Sequence, residues 1–153
     1  MRVSAKTDYA LRAAVELAAA HGDGTPVKGE RLATSQSIPL RFLENILLQL
    51  RHAGIVESRR GADGGYKLAR PPEEITLADV IRAIDGPLAG VSGQRPETLD
   101  FKGNSEPLRD VWVAVRASLR GVLEGVSLAD VAAGTLPDDV KALTERPDAW
   151  LPH

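Results

Sequence analysis

The sequence predicts a mostly helical fold with a small β-hairpin, a winged helix-turn-helix followed by a long C-terminal dimerisation helix. Three observations carry that class. An apolar-periodic helix over residues 43–50 runs directly into a glycine-rich segment, Ser58-Arg59-Arg60-Gly61-Ala62-Asp63-Gly64-Gly65-Tyr66. The strand-like runs flanking those glycines are short and close enough to make a hairpin. Further on, a second helical seam follows a long stretch without pattern.

Taken in order, Ala10, Leu11, Ala13, Ala14, Val15, Leu17, Ala18 and Ala19 form a helix that is apolar around much of its circumference, as helices buried between others are. Lys6, Tyr9 and Arg12 punctuate its beginning. Gly22-Asp23-Gly24-Thr25-Pro26 is dense in turn formers and stops it. Val27 to Ser35 then makes a short support helix with Leu32 and Ala33 directed inward, and Ser35-Gln36-Ser37 is the turn out of it.

Ile38-Pro39 marks the next helix start, because proline suits a first turn whose N–H would have no partner. Leu43, Ile46, Leu47 and Leu50 fall at i, i+3, i+4 and i+7, which is one buried face. Arg41, Asn45, Leu48 and His52 lie opposite, with Glu44 on the flank. Gly54 ends the helix where a positive φ is wanted.

Ile55 to Ser58 and Tyr66 to Leu68 are the strands of the hairpin, and the glycines at 61, 64 and 65 are expected to supply positive φ. Arg59 and Arg60 are expected at its base. A two-stranded finger with cations grips a second groove or its phosphates, although such a hairpin by itself equally fits a solvated arginine pair. The preceding helix and turn tip the reading towards DNA.

Arg70-Pro71-Pro72 stops the second strand. Thr76 and Asp79 have the spacing of a capping box, and Leu77, Val80, Ile81 and Ile84 form an amphipathic helix ended by Asp85-Gly86-Pro87. Residues 88–106 lose all periodicity, and loops of that length are functional or mobile. After Pro107, Trp112, Val115, Leu119, Val122 and Val126 repeat at spacings of 3 and 4, with Arg109, Arg116, Arg120 and Glu124 mostly on the other side. A two-fold partner would bury that seam, and packing back on the chain's own core would do so too. Ser127 with Asp130 caps a short helix through Val131 to Ala133, and Pro137 to Leu143 adds a turn before a tail containing Trp150. The expected division is a DNA-binding unit at 1–86, a loop at 87–106, and a dimerisation helix with tail at 107–153.

Composition bounds the chemistry. The 153 residues are 43% hydrophobic, enough for a real core, and no run is long enough to span a membrane, so a cytoplasmic protein is expected. Absence of cysteine excludes disulfides, thiolate metal sites and a Cys nucleophile. The net charge of −2 hides a division. Residues 1–70 hold 11 Lys and Arg against 7 Asp and Glu, a balance of +4, and the remaining 83 hold 8 against 14, a balance of −6. The basic part carries the recognition helix, and the acidic part resists phosphate.

No GxSxG, Walker loop or HExxH occurs, so an enzyme is not expected. His21, His52 and His153 show no ligand spacing, and no metal or other cofactor is expected. Arg41 can donate two bonds to guanine, Asn45 suits adenine, and Glu44 can accept from cytosine N4. In a dimer two such helices would enter successive major grooves roughly 34 Å apart, which asks for an inverted repeat in double-stranded DNA. A winged-helix module that binds protein instead of DNA is the alternative.

The blocks Ser4 to Ala13, Ile38-Pro39 through Leu47, Leu50 to Val56, Arg60 to Tyr66 and Ile75 to Ile81 together resemble the Rrf2-type winged-helix transcriptional regulators. They cover about the first 86 residues, in the family's order. The resemblance implies a regulator, a repressor, acting as a homodimer, with the three helix positions used beside a wing arginine, here Arg60, in or next to the minor groove. It implies DNA contacts from Gly64, Gly65 and Tyr66 of the finger together with Arg59. In this family the first helix leans on the DNA backbone, which makes Lys6 and Tyr9 candidate phosphate contacts; a Tyr closing a core edge and a solvated Lys is an equal reading.

Many relatives hold an iron-sulfur cluster on three cysteines in the loop after the fourth helix. The equivalent stretch here has neither Cys nor His, and Asp8, where some relatives place a fourth ligand, reads as an acid favourable at the positive end of its helix. A cluster-free member is therefore expected. Its effector is open: the loop and the two Trp residues are candidates for a small-molecule pocket, and the acidic part for a protein partner.

Overall fold

A computed structural model describes residues 2–152. The helices are α1 (Ala5–Ala19), α2 (Gly29–Gln36), α3 (Leu40–His52), α4 (Leu77–Asp85), α5 (Leu108–Leu123), α6 (Leu128–Ala133) and α7 (Asp138–Thr144), with the hairpin β1 (Val56–Arg59) and β2 (Gly65–Leu68) between α3 and α4. The mostly helical fold with one antiparallel hairpin is the one the patterning predicts. No described helix is long and apolar enough to cross a membrane.

Alanine makes α1 slim, and that lets it run through the centre. Ala10, Ala13, Ala14 and Leu17 are buried, and α2, α3, α4 and α6 all pack on it. Ser4 caps its start by accepting from the Thr7 N–H, and Asp8 in the first turn pairs with Arg12 one turn on, at 3.0 Å. Leu43, Ile46, Leu47 and Leu50 supply the core face of α3, each 0% exposed. The end of α3 is a Schellman turn: Ile55 N–H donates to Leu50 C=O and Gly54 N–H to Arg51 C=O, with Gly54 at φ 72°. The turn between α2 and α3 has the same bonds, but the left-handed position is Ser37, at φ 53°.

Three local expectations are corrected. Val27 does not open the support helix. It forms an isolated antiparallel bridge with Tyr66, exchanging two backbone bonds of 2.8 Å, so the residue two before α2 is held against the hairpin. Arg59 and Arg60 are at the tip of the hairpin and not its base, because Arg59 pairs with Gly65 in the last rung of the ladder. Gly64 is not a positive-φ glycine; those of the finger are Gly61 at 105° and Gly65 at 152°. Its requirement is space, since a Cβ there would stand 2.2 Å from the Arg59 carbonyl oxygen.

The capping boxes at Thr76/Asp79 and Ser127/Asp130 both form. Thr76 and Ser127 also lie side by side in an antiparallel bridge, so the two helix starts are clamped together, with Leu128 N–H donating to Ile75 C=O at 2.8 Å. Leu128 thereby enters the core shared by α1 and α3, and the core of the first 86 residues is completed from beyond them. Val126 goes with it: it lies past the end of α5 and is 2% exposed within the single chain, which removes it from the outward seam.

Candidate nucleic-acid interface

Burying one face of α3 leaves the other at the surface. Arg41, Glu44, Asn45, Leu48 and His52 are all exposed, as the helical spacing requires. Gln49 Nε2 donates to Asn45 Oδ1 at 3.1 Å, which occupies one lone pair of that oxygen and leaves the Asn45 amide protons free.

The finger stands beside the start of α3. A cleft of about 270 Å³ lies between them, lined by Leu40 and Glu44 of α3, by Arg59, Gly61, Gly64 and Gly65 of the finger, and by Lys28 and Glu30 at the start of α2. Lys28 was not singled out from the sequence. It is exposed at the N-cap of α2, and the Val27–Tyr66 bridge carries it up against the finger. The sequence reading places Lys28 inside the support helix, and nothing local announces the bridge.

Arg59 and Arg60 are exposed at the tip, while Glu57 and Lys67 pair across the ladder at 2.9 Å. Strand β1 is tied to α3 by Arg51, whose Nη1 donates to Ser58 Oγ at 3.1 Å, one rung below the tip. Gly65 has no room for a side chain either, since a Cβ would meet the Val27 carbonyl oxygen at 2.5 Å. Gly64 and Gly65 therefore bring backbone close to backbone and shape the tip. Tyr66 is half-buried against the core, with Gly29 beside its ring.

Lys6 is half-buried on α1. Tyr9 is engaged on both sides. Its ring meets Phe42 of α3 edge-on, and the Arg12 guanidinium carbon lies 4.8 Å above its centroid. Arg12 also donates from Nη1 to the Gln36 carbonyl at 3.0 Å, so one side chain binds α1 to the turn that aims α3.

The seam on α5 faces outward. No described residue of α5 is buried; Trp112 and Val115 are exposed, and Leu119 and Val122 are half-buried. Leu108 and Val111 extend the same exposed apolar strip towards the N-terminus.

A family model described as "Rrf2: Iron-dependent Transcriptional regulator" matches residues 3–134. The chain is 52% identical over 145 residues to a Mycobacterium tuberculosis protein named as the HTH-type transcriptional regulator Rv1287, covering 95% of this chain and 89% of that one. It is 37% identical over 136 residues to the HTH-type transcriptional regulator CymR of Bacillus subtilis, covering 88% and 92%. Among solved structures, B. subtilis CymR, titled the global cysteine regulator, superposes with a TM-score of 0.75 at 34% identity, covering 88% of this chain and 98% of that one. The IscR of T. potens gives 0.70 at 34% identity, covering 88% of each. These relatives are transcriptional regulators and not enzymes.

The metal in that family description does not fit the residues of this chain. It has no cysteine, and among the described residues no three His, Asp or Glu side chains converge as a metal site would require. His21 and His52 lie on separate elements, and His153 is outside the described residues.

Proposed function

We propose, because the chain belongs to the Rrf2 family of transcriptional regulators, that it binds an inverted repeat in double-stranded DNA as a homodimer and represses transcription there without an iron-sulfur cluster. The observation that carries this reading is the cleft between α3 and the finger, lined by Glu44, Lys28 and Arg59, with Arg41 and Asn45 exposed on the same helix and Arg60 exposed next to Arg59 at the finger's tip. Base edges offer bidentate partners to Arg41 and Asn45, and each good pair discriminates by about 1 to 3 kcal/mol. Phosphates offer partners to Lys28, Lys6 and the finger arginines, which set register without reading sequence.

The apolar strip Leu108, Val111, Trp112 and Val115 supports a two-fold partner, because antiparallel α5 helices would bury it and hold two copies of α3 on one face of the duplex. Charge supports the same orientation: a +4 first part faces phosphate and a −6 second part faces away. The working units of this reading are a DNA-binding body over residues 1–86 and a dimerisation region over 107–153, joined by the 87–106 segment.

Repeated selection from random duplexes at modest ionic strength tests the proposal. Enrichment of one palindromic sequence, with log affinity falling linearly in log salt, is the expected result. A folded preparation that enriches nothing would leave the protein-binding alternative in its place.

A further inference from the structure

A second cleft is lined by residues of the acidic part of the chain. It holds about 620 Å³ between the end of α4, the 87–97 segment and α5, which is ample for a small organic molecule. Neither Trp lines it. Four arginines do: Arg82, Arg95, Arg116 and Arg120, which are half of all the Lys and Arg after residue 70. Asp85 and Glu97 are the acids in the lining, so it carries two net positive charges inside the acidic part of the chain. Glu124 bridges Arg82 and Arg120 from the side and lowers that excess without cancelling it.

Glu97 sits on Arg116, which is half-buried, and that ion pair shows the guanidinium is presented to a carboxylate in the cleft. Arg95 makes no ion pair or side-chain hydrogen bond among the described residues. Clustering guanidinium groups in a partly walled cleft costs repulsion, and an anion relieves it. Pro87, Leu88 and Pro96 supply an apolar wall beside the charges.

We propose that this cleft is a binding site for a small organic anion carrying at least two negative groups, held by Arg95, Arg116 and the Arg82–Arg120 pair, with Glu97 yielding its place on Arg116. Asp85, in the same lining, accepts from Ser4 Oγ at 3.1 Å and from Thr7 Oγ1, and so joins the cleft to the start of α1, where Lys6 and Tyr9 follow. Occupation of the cleft therefore biases how α1 is seated and alters DNA affinity. That second step rests on the function proposed above; the binding step does not.

Calorimetric titration of the full-length protein with citrate and with inorganic pyrophosphate, and acetate as the singly charged control, tests the site. Saturable binding of at least one polyanion is expected, weakened about tenfold or more by Arg95→Gln and by Arg116→Gln, and unchanged by Arg109→Gln, which lies outside the cleft. Arg95 has no partner to lose, so its variant keeps the test valid should Arg116→Gln disturb the 87–97 segment. No saturation by either polyanion, or binding indifferent to both variants, overturns the site. Saturation with an unchanged duplex affinity overturns the coupling alone, and failure of the protein to bind any duplex bears on the function and leaves the titration result standing.

Discussion

The ring of Tyr9 meets the ring of Phe42 edge-on, with centroids 5.7 Å apart and planes at 87°. Phe42 is 42% exposed at the start of α3, so this contact joins the first helix to the outer shoulder of the recognition helix. Such pairs contribute about 0.5 to 1.5 kcal/mol beyond the area they bury. In urea unfolding of Tyr9→Ala, Phe42→Ala and the double variant, a coupling of that size is expected. Tyr9→Phe keeps the ring and should keep the coupling; a loss of duplex affinity in that variant would reveal a phosphate contact from the hydroxyl.

Arg41 and Arg60 should fail differently. Arg41→Ala is expected to relax preference at one base in each half-site, by about 1 to 3 kcal/mol. Arg60→Ala should weaken binding evenly across sequences and flatten the salt dependence by about one phosphate's worth. Competition with specific and scrambled duplexes separates them, and equal losses on both for Arg41→Ala would falsify base reading by α3.

Gly64 is a position where size alone matters. A methyl group would stand 2.2 Å from the Arg59 carbonyl oxygen and 2.8 Å from the Arg60 carbonyl carbon, so Gly64→Ala must push the tip open. The helical core makes no use of that tip. Duplex affinity should fall while the far-ultraviolet dichroism stays; an unaltered affinity would mean the finger does not touch DNA.

The α5 strip predicts its own variant. Trp112→Glu puts a charge at the middle of the exposed apolar face without opening a cavity, because no described residue of α5 is buried in the single chain. Sedimentation should show monomers with an unchanged melting profile at high dilution. Dimers persisting in Trp112→Glu would point to a different interface.

Three carboxylates set the response to acid. Bonds from the Ser127 backbone N–H, then its hydroxyl, hold Asp130 below its ordinary value; Arg82, then Arg120, does the same for Glu124. For Glu97 its own backbone N–H leads, with Arg116 adding to it. A carboxylate whose folded pKa lies below its unfolded one stabilises the fold above the unfolded value, about 4 for these groups, and that stability is lost as pH falls through the folded value. Melting temperature should therefore drop below about pH 4. Asp130→Asn should shallow that drop, since an amide oxygen still accepts the Ser127 N–H but does not titrate; superimposable profiles would rule out the capping acid as a contributor.

What the sequence by itself determined is whatever depends on neighbours within a few turns. The buried quartet of α3, its exposed Arg41, Glu44 and Asn45, the Gly54 stop and the caps at Thr76 and Ser127 all follow from spacing and from backbone groups that need a partner close by. Tertiary structure decided what depends on residues far apart meeting. The Val27–Tyr66 bridge held against the hairpin a residue that the sequence put in a helix and brought Lys28 to the cleft, and Val126, expected on an outward seam, is buried within the single chain. The arginine cleft belongs to the same class: Arg116 and Arg120 share a side of α5, and no periodicity relates them to Arg82 and Arg95. Local patterns record the faces a segment must bury, whereas pairing between segments is chosen by the competition of all those faces for one core.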